Sequence, residues 1–124
     1  AHWIYTAYVE LGKFAEAEKS LELIDATLEP PQMDYGYCRA VRLYKGMIKP
    51  EDYIEPDMKD KVLPRENRVT LELTGMYYGL YCYWTLHGDA EKAADAIRQL
   101  MKVAYPGAFG YTKALPVAKK LGLL

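Results

Sequence analysis

The polar residues that build active sites are scarce in this sequence. Its 124 residues include one serine, one asparagine and two histidines, against twelve tyrosines. Nucleophilic catalysis needs a base within reach of the nucleophile, but Ser20 is far in sequence from both His2 and His87. Cys82 lies five residues before His87, a spacing that puts two side chains on different sides of a helix. The composition therefore argues against an enzyme.

An excess of charge of one sign is missing as well. The 16 basic and 17 acidic side chains give a formal net charge of -1, so the electrostatic basis for binding nucleic acid or an anionic membrane surface is absent. No segment approaches the roughly 20 apolar residues of a membrane-spanning helix. The chain also lacks the cationic start and apolar run of a signal peptide. These absences predict a cytoplasmic protein without a nucleic-acid partner and without membrane insertion.

Cysteine is too rare to form a disulfide framework. Cys38 and Cys82 are the two cysteines, and both lie within apolar stretches with helical periodicity. Free cysteine is among the residue types most often buried in proteins. We therefore expect two buried free thiols.

What the sequence does contain is a repeat. Four glycines follow apolar stretches at spacings of 34, 42 and 34 residues: Gly12, Gly46, Gly88 and Gly122. Three prolines each fall 18 residues after a glycine: Pro30, Pro64 and Pro106. Glycine adopts the left-handed conformation that ends a helix, and proline prevents a helix from continuing. The pattern predicts helical hairpins, each with a glycine turn and a proline stop.

This pattern predicts an all-α chain of about seven helices. Their approximate bounds are 1–11, 14–28, 32–45, 50–63, 66–87, 89–104 and 111–121. The eight extra residues of the long spacing lie after Pro64. Apolar side chains from Val69 to Trp84 share one helical face there, so we expect the insertion to lengthen the fifth helix by about two turns.

The second hairpin is the degenerate one. Pro56 should break or kink its second helix. Glu51 and Glu55 stand where the first hairpin has Ala17 and Leu21. We therefore expect two short turns there as an alternative to one helix.

The first and third hairpins resemble tetratricopeptide repeats, a family with a period of 34 residues. In that family an aromatic, a small and then a bulky residue follow the turn glycine. Residues 12–17 with Leu21 fit this pattern, and residues 88–93 with Ile97 fit it with Ala90 in place of the aromatic. The chain departs from the family where a small residue normally follows the leucine of each first helix; the residues there are Tyr5, Arg39, Tyr81 and Leu115.

The resemblance implies one domain, 1–124, folded as a right-handed superhelix of antiparallel hairpins. The repeats would span about 1–30, 31–64 and 65–106, followed by a terminal helix within 107–124. That last helix is either a cap or the first half of a truncated repeat. Because the chain begins with Ala1, inside the family's pattern, we expect it to be part of a longer protein.

The resemblance also implies a concave groove lined by the first helix of each hairpin, the usual binding surface of such repeats. Its register places these residues on that face: His2, Thr6, Val9, Ala40, Leu43, Tyr44, Tyr78, Cys82 and Thr85. We expect Tyr44 and Tyr78 to be exposed and functional, because tyrosine is enriched at binding hot spots. The Lys, Asn and Arg set with which the best-known groove of this family holds a terminal carboxylate is not present at these positions.

Other interpretations give the same residues a structural role and no binding or catalytic role. The tyrosines that crowd the fifth helix can simply fill the core between hairpins. His87, Asp89 and Glu91 match no established metal-ligand spacing. We expect His87 to complement the end of one helix and Asp89 to cap the start of the next.

The sequence therefore predicts a non-catalytic scaffold without cofactor or metal, which binds a protein or peptide on its concave face. One alternative is self-association through the apolar end faces of the stack. Another is a small apolar ligand held in an enclosed pocket lined by Tyr44, Tyr78 and Cys82.

Overall fold

A computed structural model describes residues 2–22, 35–55, 68–103 and 109–123. Within these ranges the chain forms seven α-helices and no strand, which confirms the all-helical prediction for this part of the chain. The helices are α1 (His2–Glu10), α2 (Phe14–Ser20), α3 (Tyr35–Tyr44), α4 (Pro50–Tyr53), α5 (Arg68–Leu86), α6 (Ala90–Val103) and α7 (Phe109–Lys120). None of these described helices is long and apolar enough to cross a membrane.

Parts of six predicted helices fall outside the described residues. They are the end of the helix predicted at 14–28, the start of that at 32–45, most of that at 50–63, the start of that at 66–87, and single terminal residues of those at 1–11 and 89–104. The side chains of His2 and Cys38 also lie outside the description.

Four matching turns end α1, α3, α5 and α7. The glycine of each turn has a φ between 72° and 79°, a conformation that other residues rarely adopt. In the first turn the Lys13 N–H donates to the Tyr8 carbonyl at 2.8 Å, and the Gly12 N–H donates to the Val9 carbonyl at 3.0 Å. The same two bonds recur at the other three glycines. This is the Schellman motif, and it confirms that the repeated glycines end helices.

Helix α5 is the centre of the described fold. It spans 19 of the described residues, which make up most of the helix predicted at 66–87. It packs against α1, α3, α6 and α7.

Helix α4 is only four residues long. Pro50 opens it, where a missing N–H costs nothing. It ends before Ile54, whose backbone is extended. The two described helices that follow Gly12 and Gly88, α2 and α6, bury Ala17 and Ala93 five residues after the glycine. The equivalent residue of the second hairpin is Glu51, which is exposed.

Candidate functional site

Six of the seven principal candidates for the concave face are buried. They are Thr6, Val9, Leu43, Tyr44, Tyr78 and Cys82, whereas Thr85 is half-buried. The expectation that Tyr44 and Tyr78 are exposed is wrong, because they are only 8% and 1% exposed. Helix α1 packs directly against α5 and so covers the surface that an open groove would present.

Tyrosine rings fill the space between the first helices. The Tyr5 and Tyr44 rings stack with their centroids 3.7 Å apart and their planes 14° from parallel. Burial raises the pKa of Tyr5 and of Tyr44 above the ordinary value, because a charged phenolate is poorly solvated there. The two rings therefore stay neutral, and they join α1 to α3.

Tyr53 of α4 enters the same core. The structure buries it completely, and its hydroxyl has no hydrogen-bond partner in the described part of the chain. Burial raises its pKa, although the positive charge of Arg39 acts in the opposite direction. Arg39 also holds α4 in place: it donates to the Tyr53 carbonyl at 3.0 Å and pairs with Glu55 at 3.3 Å.

The carboxylate of Glu10 connects three helices. Its Oε1 accepts a hydrogen bond from the Tyr78 hydroxyl at 2.9 Å. Its Oε2 lies 2.9 Å from Lys113 Nζ. Glu10 is the last residue of α1, whereas Tyr78 and Lys113 belong to α5 and α7. This one side chain therefore links α1 to both other helices.

Cys82 lies beneath this contact as a buried free thiol, as expected from the sequence. Burial raises the pKa of its thiol, and the nearby Glu10 carboxylate raises it further. Since the thiolate is the reactive form of cysteine, this environment suppresses nucleophilic chemistry. Tyr44, the third residue of the expected ligand pocket, lines a cleft between α2 and α3, and neither Tyr78 nor Cys82 lines that cleft.

The turn between α5 and α6 is built as the sequence predicts. The Asp89 carboxylate accepts a hydrogen bond from the Lys92 N–H at 3.0 Å and so caps α6. His87 follows the end of α5, where its Nδ1 lies 2.8 Å from the Tyr83 carbonyl and its ring stacks on that of Tyr83. In the described ranges no group of three or more His, Cys, Asp or Glu residues is arranged to hold a metal ion.

An open cleft of about 430 Å³ lies between α5, α6 and α7. One side is formed by the small residues of α6, and the other by apolar residues of α7; they are Ala90, Ala93 and Ala94, then Pro116, Val117 and Leu121. The cleft forms because alanines leave space that larger side chains would fill. We call this feature the α6–α7 cleft.

Polar groups border the α6–α7 cleft at two places. Thr85 lies on the α5 side, where its hydroxyl donates to the Tyr81 carbonyl at 2.8 Å. Lys120 lies on the α7 side and is exposed. Thr85 is thus the sequence candidate that borders this cleft.

Sequence reasoning missed the rest of this cleft. The alanines of α6 are typical of a close contact between two helices. Their spacing does not show that a space remains between them and α7. The sequence signal that could have indicated the cleft is Pro116 within the last helix, because a proline removes one helical hydrogen bond there.

A second cleft, of about 390 Å³, lies between α2 and the end of α3. Its lining is largely charged and includes Glu18, Glu22 and Lys45. It therefore lacks the apolar character of a typical ligand site.

Comparison of the chain with protein-family models, with curated proteins and with solved structures finds no match in any of the three. The residues and their geometry therefore carry the functional argument alone.

Proposed function

We propose that this protein is a non-catalytic module of tetratricopeptide-like helical hairpins that binds a protein or peptide. The proposal is supported by the matching glycine turns at Gly12, Gly46 and Gly88 and by the buried alanines, Ala17 and Ala93, at the same register position of two hairpins. Repeats of this kind present extended surfaces to partners. In this proposal the domain comprises residues 1–124, with a degenerate second hairpin.

The α6–α7 cleft is the surface on which we propose that binding occurs, and it is the observation that carries the proposal. Its volume of about 430 Å³ lies in the range of small binding pockets, which are mostly apolar with a few polar groups. An apolar anchor side chain of the partner would enter between the alanines of α6 and Val117. Lys120 would then attract a carboxylate beside that anchor.

The buried candidates have a supporting role in this proposal. Tyr44 and Tyr78 fix the positions of the first helices, and Cys82 fills the space between them. The raised pKa of the Cys82 thiol favours a protein that binds rather than catalyses, and we propose no cofactor for it.

The experiment is a peptide selection followed by measured affinities. Peptides selected from a random display library on the wild-type chain should bind with a measurable Kd. Ala90→Trp fills the mouth of the cleft from an exposed position and should weaken them at least about tenfold, which corresponds to about 1.4 kcal/mol.

The matched control is Ala15→Trp, a substitution at another exposed alanine near the start of a second helix. It should leave the affinities unchanged. Equal affinities for both variants would remove the cleft from the proposal. Failure to select any peptide that binds the folded chain would contradict the proposed function.

Self-association is a second candidate, favoured by one observation. Ile4 and Leu11 of the first hairpin are 56% and 69% exposed, and seven residues apart they share one side of α1 and its end. If this face joins two copies, light scattering will show a mass that rises with concentration, and Leu11→Lys will abolish the rise. A mass that does not depend on concentration contradicts self-association.

A further inference from the structure

Glu10 is the one described side chain that bonds to both α5 and α7 from α1. Its partners lie 68 and 103 residues away in the sequence. We call the three side chains Glu10, Tyr78 and Lys113 the Glu10 clasp. The clasp is half-exposed at its charged end, because the Lys113 and Glu10 side chains retain 29% and 31% of their accessible area.

The clasp lies over the surface that a helical-repeat groove would present. Tyr78 and Cys82 on α5 are almost completely buried, as is Thr6 on α1. Helix α1 reaches α5 directly, and the polar bonds of the clasp lie at the end of α1.

We propose that the Glu10 clasp is a conformational latch. In the closed state, which the structure shows, the carboxylate holds α1 against α5 and α7. Release of the carboxylate lets α1 separate from α5 and uncovers the first-helix surface that includes Thr6, Tyr78 and Cys82.

The two bonds of the clasp contribute unequally. A hydrogen bond from a neutral donor to a charged carboxylate shifts an equilibrium by about tenfold to a hundredfold. A partly exposed ion pair shifts it by at most about fivefold. The Tyr78–Glu10 bond is therefore the main part of the latch, and the Lys113–Glu10 pair adds a smaller part.

The test follows hydrogen–deuterium exchange of the α1 amides in the full chain. Glu10→Gln removes the charge from the clasp, and α1 amides should exchange about tenfold faster than in wild type. Lys113→Met removes only the ion pair and should speed exchange by at most about fivefold. Glu16→Gln makes the same charge change at an exposed position of α2 and should have no effect on α1.

The reactivity of the Cys82 thiol toward a disulfide reagent gives a second readout, in a Cys38→Ser background so that one thiol is followed. Opening should speed the reaction in the same order of variants. Glu10 also raises the pKa of this thiol, so a faster reaction alone does not prove opening. Exchange of the α1 amides separates the two effects, because it does not depend on the thiol.

The order of effects decides the outcome. The latch is supported if exchange of α1 in Glu10→Gln exceeds that in both Lys113→Met and Glu16→Gln while exchange in α6 stays at the wild-type rate. It is overturned if α1 exchanges at the wild-type rate in Glu10→Gln, or if α1 and α6 accelerate together, which would mean global unfolding. Should Glu10→Gln fail to fold, Tyr78→Phe removes the main bond of the clasp instead, and exchange of α1 at the wild-type rate in that variant overturns the latch.

Discussion

Two parts of the core are packed in opposite ways. Between α1, α3, α4 and α5 the buried side chains include four large rings: Tyr5, Tyr44, Tyr53 and Tyr78. Between α5, α6 and α7 they are mostly small or aliphatic: Ala93, Ala96, Ile97, Leu100, Ala114 and Ala118. We call these the tyrosine core and the alanine core.

The difference starts from hairpins that turn in the same way. Gly46 and Gly88 have the same conformation and the same capping bonds. Five residues later the chain has Glu51 in one hairpin and Ala93 in the other. A small residue lets a second helix pack closely, whereas an ionised carboxylate stays in water. Where the second helix shortens to α4, tyrosine rings occupy the interior instead.

High pH should break the tyrosine core and, with it, the fold. Four buried phenols have raised pKa values, those of Tyr5, Tyr44, Tyr53 and Tyr78, mainly because burial penalises the phenolate. In the unfolded chain they ionise near pH 10. Stability is therefore complete below about pH 10 and falls as the pH rises above it, by about 1.4 kcal/mol per pH unit for each tyrosine.

The four phenols together lose about 5 kcal/mol per pH unit, against a total stability of about 5–15 kcal/mol for a domain. We expect unfolding within about one to three units above pH 10. The absorbance of the last phenols to ionise should rise in the same transition in which the circular dichroism of the helices is lost. Ionisation of all twelve tyrosines with the helices intact would contradict the burial argument.

Much of the fold follows from the sequence because its signals are local. A glycine in a left-handed conformation ends a helix wherever it occurs, so the ends of α1, α3, α5 and α7 could be predicted from Gly12, Gly46, Gly88 and Gly122. The extra length of α5 follows from the 42-residue spacing. The cap at Asp89 depends on residues only three apart.

The candidate site could not be predicted in the same way because its geometry is non-local. Register places Tyr78 on the first-helix face, and the structure keeps it there. Its burial depends on α1, whose Glu10 lies 68 residues away. The α6–α7 cleft likewise depends on the distance between two helices, which no spacing within either helix determines.

Truncation at one register position should separate the two cores by stability. Ile97 is fully buried in the alanine core, and Glu55 is its equivalent in the second hairpin. Ile97→Ala should lower the free energy of unfolding by about 2–5 kcal/mol. Glu55→Ala removes a partly exposed ion pair with Arg39 and should cost about 0–1 kcal/mol.

Urea denaturation of both variants measures this contrast. Leu21→Ala is the control from the first hairpin, since Leu21 occupies the same register position and is buried. It should resemble Ile97→Ala in cost. If Glu55→Ala cost as much as Ile97→Ala, the second hairpin would pack like the other two, and the distinction between the cores would fail.

The smallest expected effect concerns Tyr53 in the tyrosine core, and it is a gain in the free energy of unfolding rather than a loss. The Tyr53 hydroxyl is buried without a partner in the described residues, so Tyr53→Phe should raise the free energy of unfolding by about 1 kcal/mol. Tyr78→Phe removes a hydroxyl that donates to Glu10 and should lower the free energy of unfolding by about 1–3 kcal/mol.

Tyr53→Phe should also reduce the loss of stability per pH unit above pH 10 by about a quarter, because one of four buried phenols is gone. Urea denaturation at neutral and alkaline pH measures both quantities, and a loss of stability in Tyr53→Phe would show that the hydroxyl is bonded after all.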